Sequence, residues 1–183
     1  CCIKHFPGDG VEELDQHLVF GMNNLSVDEW KNSFGKVYSN LIEDGIESIM
    51  VGHIGLPEMS RKLRPGIKDE DIMPATLAPE LLTDLLRGEM KYNGLLLTDA
   101  THMIGFAAIK KREEALPLAI SAGCDMILFA NDIEEDMAFV KKGIENNLLS
   151  IERLNEAVTR ILGLKAKLEL TDPSIAIPSK ELI

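Results

Sequence analysis

The stretch NGLLLTDATH, residues 93–102, decides the fold. Three consecutive leucines leave no polar face, so the pattern predicts a strand that is buried on both sides and ends at the polar residues that follow. Similar runs occur at IESIMVGHI (46–54) and CDMILFAND (124–132), and a shorter one, CCIKH (1–5), opens the sequence. Strands buried on both faces are typical of a parallel sheet covered by helices.

Helical patterns occupy the segments between these predicted strands. The first follows a capping box at Ser26–Glu29, and the last is capped by Ser150. The predicted helices cover residues 26–43, 79–90, 110–122, 133–147 and 150–168. The order β-α-β-α-β-α-β-α-α predicts an α/β fold in which parallel strands alternate with helices, equivalent to half of an eight-unit barrel.

Composition argues against several classes of function. The 183 residues carry a formal net charge of −11, which disfavours nucleic acid and anionic membrane surfaces as partners. No apolar run approaches the ~20 residues of a membrane span.

Cys1, Cys2 and Cys124 lack a CxxC spacing and are predicted to be free thiols in a reducing compartment, so we expect a cytoplasmic protein. With four scattered histidines we expect no metal site, and no cofactor is expected.

Each predicted strand is followed by a polar loop. These loops are GDG (8–10), GHIG (52–55), TDATH (98–102) and AND (130–132). Because the carboxyl ends of parallel strands meet at one face of the sheet, we expect the four loops to form one wall of a pocket.

Two acid–base candidates lie in these loops. Asp15 precedes His17 by two residues, so it could orient the imidazole and raise its basicity; the alternative is a solvated loop without function. Asp99 follows three leucines and could act as a nucleophile in sugar chemistry, or it could cap the next helix.

Other polar residues are weaker candidates. Lys4 and His5 could bind sugar hydroxyls or phosphate, or form a strand-end pair that neighbours satisfy. His53 lies among apolar residues, where a histidine is more often structural than a ligand. His102 and Asn131 carry less weight, and Met103 is interpreted as pocket packing.

Together these motifs resemble glycoside hydrolase family 3, in its β-N-acetylglucosaminidase branch. KHFPGDG (4–10) resembles that family's KHFPG-H-G motif, and the spacing from Lys4 to Asp15 and His17 matches its Asp-x-His dyad. NGLLLTDATHM resembles the segment that carries the nucleophile. Further similarity is found in PATLAPELLTDLLRGEM (74–90), SAGCDMIL (121–128) and AVTRILGLKAKLEL (157–170), so the resemblance extends to about Leu170.

The resemblance implies a mechanism and a substrate class. Asp99 would attack the anomeric carbon, His17 would serve as acid and base, and Asp15 would hold His17. Lys4 and His5 would bind sugar hydroxyls, with His53 and Met103 as further substrate-binding positions. The substrate would be an amino-sugar glycoside, such as a peptidoglycan or chitin fragment, in a pathway such as peptidoglycan recycling. A neutral histidine would not repel an anionic acceptor, so phosphorolysis remains an alternative to hydrolysis.

Two residues depart from the family pattern. Asp9 occupies the position of a family histidine, which leaves the substrate preference open, and Gln16 separates the members of the dyad. A two-domain β-glucosidase is less expected, because there the acid/base comes from a second domain.

The resemblance also predicts the domain organisation. Residues 1–170 would form the C-terminal half of a (β/α)8 TIM barrel, and residues 171–183 an extended tail. We expect the chain to pair with an N-terminal half, to self-associate, or to be part of a longer protein. A non-catalytic carbohydrate-binding fragment is the alternative.

Overall fold

The computed structural model describes residues 1–13, 15 and 17–170. Its strands are β1 (Cys2–Phe6), β2 (Gly21–Met22), β3 (Ser48–Val51), β4 (Ile54–Gly55), β5 (Leu95–Ala100) and β6 (Met126–Leu128). The main sheet has the order β1-β3-β5-β6 with every pair parallel, and β2 and β4 form a small parallel pair of their own. The four predicted strands are therefore confirmed, whereas the β2–β4 pair was not predicted.

Helices connect the strands and cover one face of the main sheet. They are α1 (Val27–Asn32), α2 (Phe34–Glu43), α3 (Pro57–Leu63), a π-helix (Glu80–Glu89), α4 (Ile104–Ala107), α5 (Arg112–Ala122), α6 (Ile133–Glu145) and α7 (Ile151–Lys167). This alternation confirms the predicted α/β class, and the sheet forms part of a barrel. The boundary at residue 170 stays a prediction, and the predicted extended tail lies outside the described residues.

Two predicted helices differ from their prediction. The segment from Ser26 to Glu43 is two helices, because Ser33 leaves helical geometry at φ −116° and ψ −95°. The Ser33 hydroxyl donates to the Glu29 carbonyl at 2.6 Å, a local bond that competes with helix continuation. The second is the helix predicted over 79–90. Residues Glu80–Glu89 form a π-helix, and the spacing of the leucines in this segment does not distinguish a π-helix from an α-helix.

The two faces of the main sheet have different neighbours. Ile49, Val51 and Leu96 point to the helices and are fully buried. Met50 and Leu97, which pair in register, lie on the opposite face and are only partly buried. Side chains alternate between the faces of a strand, so Asp99 shares this second face with Leu97. The second face is the inner face of the partial barrel.

An ion-pair network closes the amino end of the sheet. Asp125 precedes β6 and its carboxylate is fully buried. Its Oδ2 accepts hydrogen bonds from Arg87 at 2.7 Å and from the Leu96 backbone N–H at 3.0 Å. Its Oδ1 accepts from Arg153 at 2.6 Å and from Arg160 at 3.3 Å. One carboxylate thus joins the π-helix, β5 and α7.

No helix among the described residues is long and apolar enough to cross a membrane.

We predict that Asp125→Asn lowers the free energy of unfolding by about 3–5 kcal/mol, because it leaves buried arginines without their counter-charge. Urea unfolding followed by circular dichroism measures the change. Asp84→Asn, at an exposed position on the π-helix, is the control and should alter stability by less than about 0.5 kcal/mol. Equal stability of the two variants would contradict a structural role for the network.

Candidate active site

Asp99 lies at the carboxyl end of β5 on the inner face of the sheet. Its side chain is 13% exposed, and its Oδ1 accepts a hydrogen bond from the Ala100 backbone N–H at 2.8 Å. The alternative role as a helix cap is wrong, because α4 begins after Met103, which is itself the N-cap residue. Asp99 is therefore a partly shielded carboxylate that faces the interior of the partial barrel.

His5 lies beside Asp99 across the face of the sheet. The His5 Nε2 is 3.5 Å from the Asp99 Oδ2, and its Nδ1 is 3.6 Å from the Asp9 Oδ2. The parallel pairing of β1 with β3 and of β3 with β5 brings the carboxyl ends of these strands together. His5 and Asp99 are more than 90 residues apart in the sequence, but their ionisable side chains are neighbours in the fold. Lys4, the neighbour of His5, is exposed at the same strand end.

Buried polar side chains hold the loop that follows β1. The indole N–H of Trp30 donates to the Pro7 carbonyl at 2.7 Å, and the amide of Asn23 donates to the Gly8 carbonyl at 3.1 Å. Neither residue is predicted as part of the site by the sequence pattern. A lone tryptophan just after a capping box was the available signal for Trp30, whereas Asn23 gave none because its burial is a tertiary property.

Asp15 and His17 form a close pair in this loop. The His17 Nδ1 lies 2.7 Å from the Asp15 Oδ1, which also accepts the His17 backbone N–H at 2.9 Å. These two hydrogen bonds hold the pKa of the Asp15 carboxyl below its ordinary value, so the carboxylate stays ionised near neutral pH. With its Nδ1 engaged, His17 has its Nε2 left to exchange a proton with a substrate.

The Asp15–His17 pair is exposed to solvent, but a backbone hydrogen bond attaches its loop to the start of α4. The side chain of His17 is 67% exposed, yet its carbonyl accepts a hydrogen bond from the Ile104 backbone N–H at 3.4 Å. Ile104 begins α4, five residues after Asp99. The Asp15–His17 loop is therefore attached to the segment that carries Asp99. The β2–β4 pair anchors the other end of this loop, because Gly21 pairs with Ile54.

His53 is completely buried behind the Asp99 segment. Its Nδ1 lies 2.9 Å from the Thr76 hydroxyl and its Nε2 lies 3.1 Å from the Ala100 carbonyl. Since a carbonyl only accepts, Nε2 carries the proton and Nδ1 accepts from Thr76. Burial lowers the pKa of His53, which favours this neutral form. Both ring nitrogens are thus used within the protein, which suits the structural interpretation of this residue.

The remaining candidates have different surroundings. Met103 is 3% exposed and lies in the interior beneath the loop that follows β5. His102 is exposed, with its ring 6.0 Å from that of Phe129. Asn131 is exposed and donates its backbone N–H to Asp136. Direct contact of His53 or Met103 with a substrate stays a prediction.

Arg112, which the sequence pattern does not single out, binds the loop that follows Asp99. Arg112 forms a bidentate ion pair with Asp136 at 2.6 Å and donates to the Thr101 hydroxyl at 3.1 Å. The Thr101 hydroxyl in turn donates to the Phe129 carbonyl at 2.8 Å. The loops that follow β5 and β6 are thereby held together.

No group of three or more histidines, cysteines or acids among the described residues is arranged to hold a metal ion. Asp99 can supply a carboxylate to an electrophilic carbon, and the Asp15–His17 pair can move a proton.

We predict that His53 makes the fold sensitive to acid. As pH falls through about 6.5 the unfolded chain binds a proton at this histidine, whereas the folded state, with its lowered pKa, does not. The free energy of unfolding should therefore fall with decreasing pH below 6.5, by up to about 1.4 kcal/mol per pH unit from this group. In His53→Gln this component of the slope should disappear, although the variant is less stable at pH 7.5.

Denaturant unfolding at pH 7.5, 6.0 and 5.0 measures these slopes. Asn131→Gln changes an exposed residue that carries no titratable group and should keep the slope of the unsubstituted protein. A His53→Gln variant with an unchanged slope would show that His53 does not titrate on unfolding.

Comparisons with known proteins agree on one family. The profile of the "Glycosyl hydrolase family 3 N terminal domain" matches residues 1–164. A "Beta-N-acetylglucosaminidase/beta-glucosidase" of Cellulomonas fimi is 53% identical over 167 residues, which cover 91% of this chain and 30% of that protein. "Beta-hexosaminidase A" of Pseudoalteromonas piscicida is 29% identical over 191 residues, covering 98% of this chain and 32% of its own.

Solved structures show the same relationship. "Beta-glucoside phosphorylase BglX" superimposes with a TM-score of 0.94 at 49% identity, over 97% of this chain and 32% of its own. A family 3 β-N-acetylglucosaminidase from Paenibacillus sp. superimposes with a TM-score of 0.84 at 25% identity, over 98% of this chain and 33% of its own. The chain thus spans about a third of the length of these relatives. On these matches, the chain belongs to glycosyl hydrolase family 3.

Proposed function

We propose that this chain carries the nucleophile and the acid/base of a retaining β-N-acetylhexosaminidase that removes terminal β-linked N-acetylglucosamine. The observation that carries the proposal is the attachment of the Asp15–His17 loop, through the His17 carbonyl, to the segment that follows Asp99. This hydrogen bond joins the loop that carries the proposed proton-transfer pair to the segment that follows the proposed nucleophile. The names of the relatives from Cellulomonas fimi and Pseudoalteromonas piscicida support the sugar class.

In the first step Asp99 attacks the anomeric carbon of the bound sugar. A bond forms between a carboxylate oxygen and that carbon, and the bond from the carbon to the glycosidic oxygen breaks. The Nε2 of His17 donates its proton to the departing oxygen, so the leaving group departs as a neutral alcohol. The product is a covalent glycosyl-enzyme ester.

In the second step water attacks the same carbon from the opposite side. His17, now neutral, accepts a proton from the water, and the bond between the sugar and Asp99 breaks. The sugar is released with the configuration that it had in the substrate, because two inversions cancel. Asp99 returns to its carboxylate form and His17 to its protonated form.

Use of His17 in place of a second carboxyl group changes the charge repulsion within the site. Retaining glycosidases ordinarily use two carboxyl groups about 5 Å apart, one of which must stay protonated beside the other's charge. A protonated imidazole carries a positive charge, so an acid of this type does not repel the carboxylate of the nucleophile. The ionised Asp15 accepts a hydrogen bond from the His17 Nδ1 and holds the ring in one orientation.

The substrate contacts proposed here come from the strand ends. His5 lies beside Asp99, and the exposed Lys4 precedes it in β1; we propose that both donate hydrogen bonds to the sugar hydroxyls. Met103 contributes apolar packing below the sugar, and His53 holds the Ala100 carbonyl next to Asp99. We further propose a cytoplasmic location, a role in the turnover of peptidoglycan fragments, and assembly of these strands with further strands that complete a barrel.

A phosphorylase is the second candidate function. The structure of BglX, with a TM-score of 0.94, is described as that of a "Beta-glucoside phosphorylase". In this variant phosphate instead of water attacks the glycosyl-enzyme, and the product is a sugar 1-phosphate. A neutral His17 admits an anionic acceptor more readily than a carboxylate would, because it does not repel it.

We predict that Asp99→Asn in the full-length protein reduces turnover of 4-nitrophenyl N-acetyl-β-glucosaminide by at least about 1,000-fold, since an amide is a poor nucleophile. His17→Ala should lower it by roughly 100- to 10,000-fold, the range of general acid–base catalysis. Release of 4-nitrophenol measures both. Asp44→Asn, at an exposed helix end, is the control. Full activity of Asp99→Asn would refute the assigned nucleophile.

We predict that phosphate decides between the two functions. With hydrolysis, the sugar product is free N-acetylglucosamine at any phosphate concentration. With phosphorolysis, millimolar phosphate accelerates turnover and the product is the 1-phosphate, which ³¹P NMR detects. Chloride at matched ionic strength is the control, because it excludes a general effect of salt.

A further inference from the structure

The backbone that follows Asp99 is held by hydrogen bonds at both polar atoms of Ala100. The Ala100 N–H donates to the Asp99 Oδ1 at 2.8 Å, and the Ala100 carbonyl lies 3.1 Å from the His53 Nε2. The His53 Nδ1 lies 2.9 Å from the Thr76 hydroxyl. Thr76, His53, Ala100 and Asp99 thus form one hydrogen-bonded series that ends at the proposed nucleophile.

We propose that Thr76 is a positioning residue for Asp99 and acts through His53. Its hydroxyl group donates to the His53 Nδ1 and thereby keeps the His53 Nε2–H directed at the Ala100 carbonyl. The Ala100 N–H in turn stays directed at the Asp99 carboxylate. This inference rests on the proposed nucleophilic role of Asp99, and it assigns a function to a fully buried residue that has no proposed contact with the sugar.

His53 supplies a hydrogen bond that β5 lacks on the side of β3. The two strands pair as far as Val51 and Thr98, but β5 continues to Ala100. A buried backbone carbonyl needs a donor, and at Ala100 a side chain supplies it in place of the β3 backbone. On this side of β5, the geometry of the residues around Asp99 therefore depends on the position of one imidazole ring.

The Thr76 hydroxyl determines how the His53 ring is bonded. A backbone carbonyl only accepts, so the neutral ring carries its proton on Nε2 and needs a donor at Nδ1. Thr76 supplies that donor from a short 3-10 helix (Ala75–Leu77), and the side chains of Thr76 and His53 are both completely buried. Without the hydroxyl, the Nδ1 lone pair would be buried and unpaired. Rotation of the ring towards another donor would then release the Ala100 carbonyl.

Packing fixes the plane of the His53 ring but not its hydrogen bonds. The Phe106 ring lies against the imidazole, with centroids 5.0 Å apart and planes inclined at 44°. Burial lowers the pKa of His53, which favours the neutral ring that this arrangement requires. The specific contribution of Thr76 is therefore the hydrogen bond at Nδ1.

The effect on Asp99 is one of orientation. A nucleophile must meet the reacting carbon at close distance and at the correct angle, and a displacement of about 1 Å can reduce the rate by about 100-fold. The Ala100 N–H occupies Oδ1, which leaves Oδ2 for the attack on the anomeric carbon. If the backbone at Ala100 could turn, the carboxylate would turn with it, and the attack would become slower.

The test compares Thr76→Val with Thr76→Ser in the full-length protein. Valine keeps the shape of threonine without the hydroxyl, whereas serine keeps the hydroxyl without the methyl group. We expect Thr76→Val to lower kcat/KM for 4-nitrophenyl N-acetyl-β-glucosaminide by roughly 10- to 100-fold. Thr76→Ser should restore most of the activity, because it restores the donor to His53.

A dinitrophenyl N-acetyl-β-glucosaminide separates a defect in the nucleophile from a defect in proton transfer. Its leaving group departs without a proton from His17, so its kcat/KM depends on the attack by Asp99. The loss in Thr76→Val should be as large with this substrate as with the 4-nitrophenyl substrate. His17→Ala should instead recover much of its kcat/KM with the dinitrophenyl substrate, which shows how a defect in proton transfer behaves.

Ser60→Ala is the matched control for the loss of a buried hydroxyl group. Ser60 is completely buried and donates to the Glu80 carboxylate at 2.8 Å, outside the series that ends at Asp99. It should lower the melting temperature but keep kcat/KM when the assay is run below the unfolding transition. Thr76→Ala replaces the valine variant if thermal unfolding shows that the latter is not folded.

The outcomes separate this inference from the proposed function. The positioning role is wrong, while the proposed function stands, if Thr76→Val keeps its kcat/KM or loses it only with the 4-nitrophenyl substrate. The role is also wrong if a folded Thr76→Ser, or Ser60→Ala, is as slow as Thr76→Val. If the unsubstituted protein does not turn over β-glycosides, or Asp99→Asn retains activity, the proposed function fails and the role of Thr76 fails with it.

Discussion

The parallel register between β3 and β5 is the constraint on which the candidate site depends. Ser48 pairs with Leu95 and the pairing continues without interruption to Val51 and Thr98. Asp99 is the next residue of β5 and therefore emerges at the carboxyl end of the sheet, on its inner face. A one-residue slip in this register would turn Asp99 towards the helices. The apolar residues of the helix-facing side oppose such a slip, because they would have to leave the core.

The two ends of the sheet use charge in opposite ways. At the amino end the arginines around Asp125 satisfy one fully buried carboxylate with short hydrogen bonds, an arrangement suited to stability. At the carboxyl end Asp99, His5 and Asp9 are partly exposed and separated by about 3.5 Å. These longer contacts leave polar atoms partly exposed, which agrees with the usual division in α/β folds between a stabilising end and a functional end.

Support for the site comes from residues without any direct chemical role. Trp30 and Asn23 hold the loop after β1, and Arg112 braces the loop after β5. Each contributes a hydrogen bond to a backbone carbonyl or hydroxyl near a functional side chain. Orientation of the functional groups thus depends on contacts that cross between elements far apart in sequence, and substitutions there would act on geometry rather than on the reacting atoms.

The amino-acid sequence by itself determined the class of fold and the residue types of the site. Unbroken apolar runs such as LLL before Asp99 indicate strands that are buried on both faces. The two-residue spacing of Asp15 and His17 places a carboxylate within reach of an imidazole. Both features are local, so the sequence alone records them. Only the tertiary structure decided that His5 lies between Asp9 and Asp99, that His53 is buried with both ring nitrogens bonded, and that Ser33 divides a helix. Strand pairing and burial join residues tens of positions apart, and no local pattern records those distances.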